Sequence, residues 1–193
     1  MLIDDASDDE TLEKSREFLV NSKFPQERVS YVRNLESRSL TYNVVHAAFS
    51  YCKTGEIQVV LEGSERLIGN YVFDFFNAVY QRNQETWAAY SNHISTNFSY
   101  GESKPINDEL NTQSKGRPKS RKIFMGALRS WYVDLLTSIP LSYHKFSNGT
   151  WFTAEFDDAL LMSFYEKAGN DRIVYLPELS CLKPEPNENN NWI

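Results

Sequence analysis

Apolar residues recur three or four positions apart through most of this chain, and that spacing predicts helices. The pattern is strongest from Leu40 to Gln81. Leu40, Val44, Ala47, Ala48 and Tyr51 share one helical face, and Lys53-Thr54-Gly55-Glu56 then breaks the pattern. Ile57, Val60, Leu61, Ser64, Ile68, Tyr71, Val72, Phe75 and Val79 resume it. Gly55 suits the left-handed residue that closes a helix. So short a connection predicts an antiparallel helical hairpin, with 57–81 as the central helix of the fold.

The rest of the chain reads in the same register. Ser7 and Glu10 form a capping box for a helix that buries Leu12, Phe18 and Leu19 and ends near Asn21. Pro25 opens a second helix, Gln26 to Ser37, through Val29, Val32 and Leu35. Trp87, Tyr90, Ile94 and Phe98 line a helix from Gln84, and Phe124, Ala127, Leu128, Trp131, Leu135 and Ile139 line another that Pro140 stops. Between these two lies a polar loop, about 99–120. Residues 141–156 read as a loop around Ser147-Asn148-Gly149, with a β-hairpin as the alternative. Thr153 caps a last helix, Phe156 to Ala168, closed by Gly169; Arg172 to Pro177 is short and extended. The expected fold is one all-α domain over 1–182, an antiparallel bundle of helical hairpins, followed by a disordered tail, 183–193. The alternative is an α+β fold in which 141–156 and 172–176 pair as a small C-terminal sheet.

Composition narrows the function classes. The 193 residues are 41% hydrophobic and 24% charged, which suits a folded domain rather than a disordered chain. A net charge of −6 disfavours nucleic acid as a partner and favours a basic protein. No apolar run is long enough for a membrane span, the acidic start is unlike a signal peptide, and Cys52 and Cys181 stand apart, so the expected address is cytoplasmic. His46, His93 and His144 lie on three separate elements with no metal-ligand spacing. No phosphate-binding glycine loop, nucleophile elbow or Glu-x-x-His pair occurs, so neither a cofactor nor a catalytic set is expected. A HEPN-like helical ribonuclease is an alternative, but Arg38 with His46 and Arg82 with His93 are spaced too widely for it. Lys115, Arg117, Lys119, Arg121 and Lys122 form a basic run that reads as solvated.

Two stretches carry a resemblance. Ala47 to Val79 looks like a tetratricopeptide-style helix pair, although no repeat period runs through the chain. Asp157 to Ala168, followed by Tyr175-Leu176-Pro177, gives an acidic start, a short helix, a glycine and an extended close. Together they resemble the helical immunity proteins of bacterial polymorphic toxin systems. That resemblance implies a non-catalytic protein that sequesters and occludes a cognate toxin; a tetratricopeptide-like adaptor or a phage-encoded inhibitor is the further alternative. The basic partner would be steered to negative side chains gathered on firm helices. Glu62, Glu65 and Asp74 on the central helix are the first candidates, and Asp8 and Asp9 the second.

Overall fold

In the computed structural model, residues 1–99, 101, 103, 105, 128–153, 160, 163–164 and 166–184 are described. Among them the chain is α+β, and the expectation of an all-α helical-hairpin bundle is wrong. Strands β1 (Leu2–Asp4) and β2 (Tyr31–Arg33) pair in parallel across helix α1 (Thr11–Asn21). Helix α2 (Leu40–Ser50) leads to β3 (Ile57–Val60) and β4 (Arg66–Leu67), and α3 (Val72–Arg82) to β5 (Ala88–Ser95). Then come β6 (Arg129–Tyr132), the short α4 (Val133–Thr137) and the long β7 (Ile173–Lys183). The last five strands lie in the order β3-β6-β5-β7-β4.

The corrections have one cause. A short apolar run satisfies a helical template and a buried strand equally well, and tertiary pairing decides between them. The expected central helix, 57–81, is two strands, a connecting loop and only then a helix. Its first residues, Ile57-Gln58-Val59-Val60, pair with Tyr132 to Arg129, a partner far along the chain. The expected helix from Gln84 is β5, which is paired on both sides, by β6 and by β7. The expected helix through Trp131 is β6 followed by α4; its residues 121–127 lie outside the described residues. Gln26 to Ser37 forms a single 3-10 turn, Gln26–Arg28, and then β2. The alternative of a small C-terminal sheet also fails, because β7 pairs with β5 and β4 and not with 141–156. The described part of that segment, 141–153, is a 3-10 turn, Leu141–His144, and then a loop closed by one antiparallel bridge between Lys145 and Trp151, with Gly149 at φ +85° in its turn; 154–156 lie outside the described residues. Helix α2 stands as expected, and Gly55 does take a left-handed φ of +81°, but it opens a strand. Helix α1 ends at Asn21 as expected, with Glu10 rather than Ser7 as its N-cap. Phe164 and Ala168 lie in the expected last helix, while 156–159 fall outside the described residues; so do most of 99–120 and all of 185–193. Lys183, placed in the expected tail, ends β7.

The sheet is buried on both faces, and alternate residues divide between two cores. Ala88, Tyr90, Trp131 and Ile173 pack on one side with Val44, Val45 and Ala48 of α2, Leu135 and Leu136 of α4, and Leu160 and Phe164. Ala89, Leu128, Leu176 and Cys181 pack on the other side with Val72, Phe76 and Tyr80 of α3. Trp131 is fully buried, and its indole N–H donates to Gln58 Oε1 at 2.9 Å. Tyr80 meets Ser130 Oγ at 3.0 Å, and that hydroxyl also donates to the Ala89 carbonyl.

Strand direction decides which ends of the sheet come together. Strands β3 and β5 are each antiparallel to β6, and β7 is parallel to β5, so β3, β5 and β7 all run the same way. Strand β7 bulges as it goes: Pro177, Glu178 and Ser180 fall between residues paired with β5, which is where a strand tolerates a proline.

Candidate functional site: an ion-paired crevice at the strand ends

Strands β3 and β4 are neighbours in sequence but form opposite edges of the sheet. Six residue steps from Val60 to Arg66 reach at most about 20 Å. Four interstrand gaps at about 4.8 Å need nearly as much. The connection is not fully extended, since the Glu65 amide folds back to the Glu62 carbonyl at 2.9 Å. The sheet therefore curls, and the loop crosses the ends of the strands between its edges. This is the edge at which β3, β5 and β7 finish and β6 begins.

The crossing loop brings its two carboxylates onto two bases of the sheet. Glu62 Oε1 lies 2.9 Å from Arg129 Nη1 at the start of β6. Glu65 Oε1 lies 2.7 Å from Lys183 Nζ at the end of β7, and Glu65 Oε2 accepts the Glu62 amide at 3.1 Å. Arg129 and Glu65 keep only 2% and 1% of their side chains exposed; Glu62 and Lys183 keep 33% and 25%. One partner in each pair is thus sealed and the other reaches solvent. His93, on β5 opposite Cys181 of β7, is half-buried beside them. Burial lowers its pKa below the ordinary value, and the positive charges of Lys183 and Arg129 lower it further. Burial likewise pushes the Cys181 thiol up to about 11, so it is a neutral core group.

A second acidic locus closes the other parallel pair. Asp4, buried at the end of β1, pairs with Arg33 Nε at 3.2 Å. Asp5 accepts from Asn34 Nδ2 (2.6 Å), Ser37 Oγ (3.0 Å) and the amides of Arg38 (2.9 Å) and Ser39 (3.1 Å). Burial pulls its pKa upward, but the hydrogen bonds from Asn43, the Arg38 amide, Asn34 and Ser37 outweigh that and hold it at about 2. Asp5 therefore ties the 34–39 segment to the start of α2, where Ser39 caps the helix through the Tyr42 amide. A groove of about 500 Å³ lined by Ile57, Asn77, Tyr80, Gln81, Gln84 and Tyr132 lies at the opposite end of the β3–β6 pair. It holds none of these charged groups.

Glu62, Glu65 and Asp74 do not share a helical edge as expected. Glu62 and Glu65 sit on the crossing loop, one half-buried and one buried. Asp74 is exposed in the first turn of α3, and Asp8 and Asp9 are exposed before α1, with Asp9 accepting the Thr11 amide. The structure brings only Glu62 and Glu65 together. The sequence pattern does not identify Arg129, Lys183 or His93 as their partners. Arg129 does carry a signal, as a charge set inside the apolar run from Phe124 to Leu136; Lys183 carries none, because its place depends on the bulged β7.

No family model and no curated protein sequence matches the chain. Solved structures do. The chain is similar to S. aureus TarS 1-349 over 95% of its own length and 50% of that chain, at 13% identity and a TM-score of 0.61. It is similar to the mannosyltransferase PcManGT from Pyrobaculum calidifontis, in complex with GDP-Man and Mn²⁺, over 97% and 48%, at 19% identity and a TM-score of 0.58. It is similar to GalNAc-T7 with UDP, GalNAc and Mn²⁺ over 100% and 39%, at 12% identity and a TM-score of 0.57. At these identities the likeness establishes the fold, and the chain spans half or less of each neighbour. The likeness overturns the expectation of a non-catalytic immunity protein, and the ribonuclease, adaptor and inhibitor alternatives lose their helical frame with it. Of the expected address, one part stands: among the described residues no helix is long and apolar enough to cross a membrane.

The Mn²⁺ in two of these neighbours prompts a test of fit. Among the described residues no group of three or more His, Cys, Asp or Glu is placed to hold a metal ion. Glu62 and Glu65, the carboxylates of the crossing loop, face Arg129 and Lys183 instead. The described residues do not fit a divalent metal.

Proposed function

We propose that this chain binds a nucleotide sugar in the crevice at the ends of β3, β5 and β7 and serves in sugar transfer. The observation that carries the proposal is the convergence there of the crossing loop with Arg129, Lys183 and His93, on a fold shared with sugar transferases. In open sheets with parallel strands, ligands settle outside the carboxyl ends of the strands, where loops diverge and strand order changes direction. Strand order changes direction here, since β3 and β4 leave for opposite edges. Nucleotide sugars carry a diphosphate, and Lys183, partly exposed, supplies a cation at the mouth with Arg129 behind it. In transfer, the bond from the sugar's anomeric carbon to the diphosphate breaks, and the acceptor oxygen bonds to that carbon as it loses its proton. The nucleoside diphosphate leaves with added negative charge, which a fixed cation stabilises.

Isothermal titration with GDP-Man, UDP-GalNAc and UDP-glucose tests the proposal. At least one should bind with a Kd of about 1 mM or tighter. No heat from any of them with protein shown to be folded by circular dichroism would overturn it.

A further inference from the structure

The groove at the far end of the β3–β6 pair is built unlike the crevice. At its floor lies Tyr80, 4% exposed, whose hydroxyl is spent on Ser130, so this residue offers a ring rather than a donor. Tyr132 meets that ring at right angles, with centroids 5.3 Å apart and planes at 80°. Ile57, the register partner of Tyr132 on β3, adds an aliphatic wall. The rim is amide. Asn77 and Gln81, four apart, share one face of α3, and Gln84 follows just past the helix end at Arg82. All three are exposed, and none of their carboxamides meets a hydrogen-bond partner among the described residues.

This lining selects by exclusion. No lining residue is ionised, so a phosphate or a carboxylate finds no counter-charge. A wholly apolar ligand would cover three carboxamides without pairing them, which costs free energy. Each carboxamide carries two N–H donors and an acceptor oxygen. A sugar is the complement: its ring C–H groups lie on aromatic and aliphatic surface, and its neighbouring hydroxyls both donate and accept. The rise from Asn77 to Gln81 is about 6 Å, the scale of one sugar unit. The volume of about 500 Å³ lies within the range of small-molecule sites. An exposed amide rim, rather than closed walls, suits a chain passing through.

We propose that this groove binds a neutral oligosaccharide, holding a stretch of glycan away from the crevice. A part for it in sugar transfer rests on the nucleotide-sugar reading, whereas the binding itself rests on the lining of the groove alone.

Maltotetraose, cellotetraose, mannotetraose and chitotetraose, each titrated to about 10 mM into the isotope-labelled 193-residue chain, test this by nuclear magnetic resonance of side-chain carboxamides. At least one should shift the carboxamides of Gln81 and Gln84 with a Kd of about 1 mM or tighter. The amides of 62–65 and 181–183 should stay still. Unmoved groove carboxamides with all four, or shifts confined to 62–65 and 181–183, would overturn the proposal. Gln81→Ala combined with Gln84→Ala changes two exposed positions outside the crevice and should leave the fold intact. The double variant should bind the oligosaccharide about tenfold more weakly, and unchanged affinity in folded protein would overturn the proposal. Oligosaccharide binding in the groove with no nucleotide sugar bound anywhere would fail the sugar-transfer reading and leave the groove as a glycan site. The reverse outcome would fail the groove alone.

Discussion

Replacing Glu62 by Gln separates the two accounts of that residue. As an exposed position on a helix face, it should change stability by less than about 0.5 kcal/mol. In the structure it compensates Arg129, whose side chain is 2% exposed. Removing one member of a buried pair costs about 3–5 kcal/mol, because the charge left behind stays out of water. Glu62 itself keeps 33% of its side chain exposed, so water screens part of the attraction and the lower side of that range applies. The amide oxygen of the substituted glutamine would still accept a hydrogen bond from the guanidinium, which trims the loss to about 2 kcal/mol. For a chain of this size that corresponds to a fall in Tm of roughly 4–8 °C. Urea unfolding followed by tryptophan fluorescence reads it, with buried Trp131 as reporter. A cycle with Arg129→Met should return a coupling of about 1 kcal/mol or more between the two sites. A loss below about 0.5 kcal/mol for folded Glu62→Gln would refute the reasoning that Glu62 is what stabilises the Arg129 charge.

Three further outcomes are expected from other parts of the fold. Burial alone lowers His144 to about 4 from an ordinary 6.5, so the unfolded chain binds its proton first; stability is full above pH 6.5 and falls by up to about 3 kcal/mol as pH drops toward 4. His93 is shifted the same way, so His144→Leu should flatten most but not all of that decline in urea midpoints measured from pH 7 to 4. Asp5→Ala leaves the Arg38 and Ser39 amides without their acceptor and should cost about 1–3 kcal/mol, with faster amide exchange confined first to 34–42. Tyr80→Phe removes a hydroxyl whose partner, Ser130, keeps its bond to Ala89; a loss of about 1 kcal/mol in thermal unfolding is expected, and none at all would mean the buried contact contributes nothing.

How much of this is legible in the sequence depends on where each element's partners lie. Helix α2 is readable because its apolar face is local, whereas Gly55, expected to close it, stands beyond its C-cap Tyr51. Strand β3 is not, because Ile57, Val60 and Leu61 fit a helical stripe and the residues that pair with β3 are those of β6. Strand β6 buries Arg129, Ser130 and Trp131 in succession, so it shows no period of two to set against a helical reading. The β-branched residues of Ile57 to Val60 and of Ile173-Val174 are the local hint of strands, and only the second outweighs the helical spacing around it. Glu62 and Glu65 are legible as a place where negative charge gathers. Their meaning changes once the loop that carries them is seen to cross the sheet and meet Arg129 and Lys183. Nothing in the linear pattern joins residue 62 to 129 or 65 to 183; sheet order does.

Ligand binding at the ends of β3, β5 and β7 can be localised by nuclear magnetic resonance. Titrating GDP-Man and UDP-GalNAc into isotope-labelled protein while following backbone amides and histidine rings gives the most direct test. Shifts are expected in the His93 ring and in the amides of 62–65 and 181–183. The groove residues Asn77, Tyr80, Gln81 and Gln84 should stay still. Shifts confined to that groove, or none anywhere at several millimolar ligand, would contradict it.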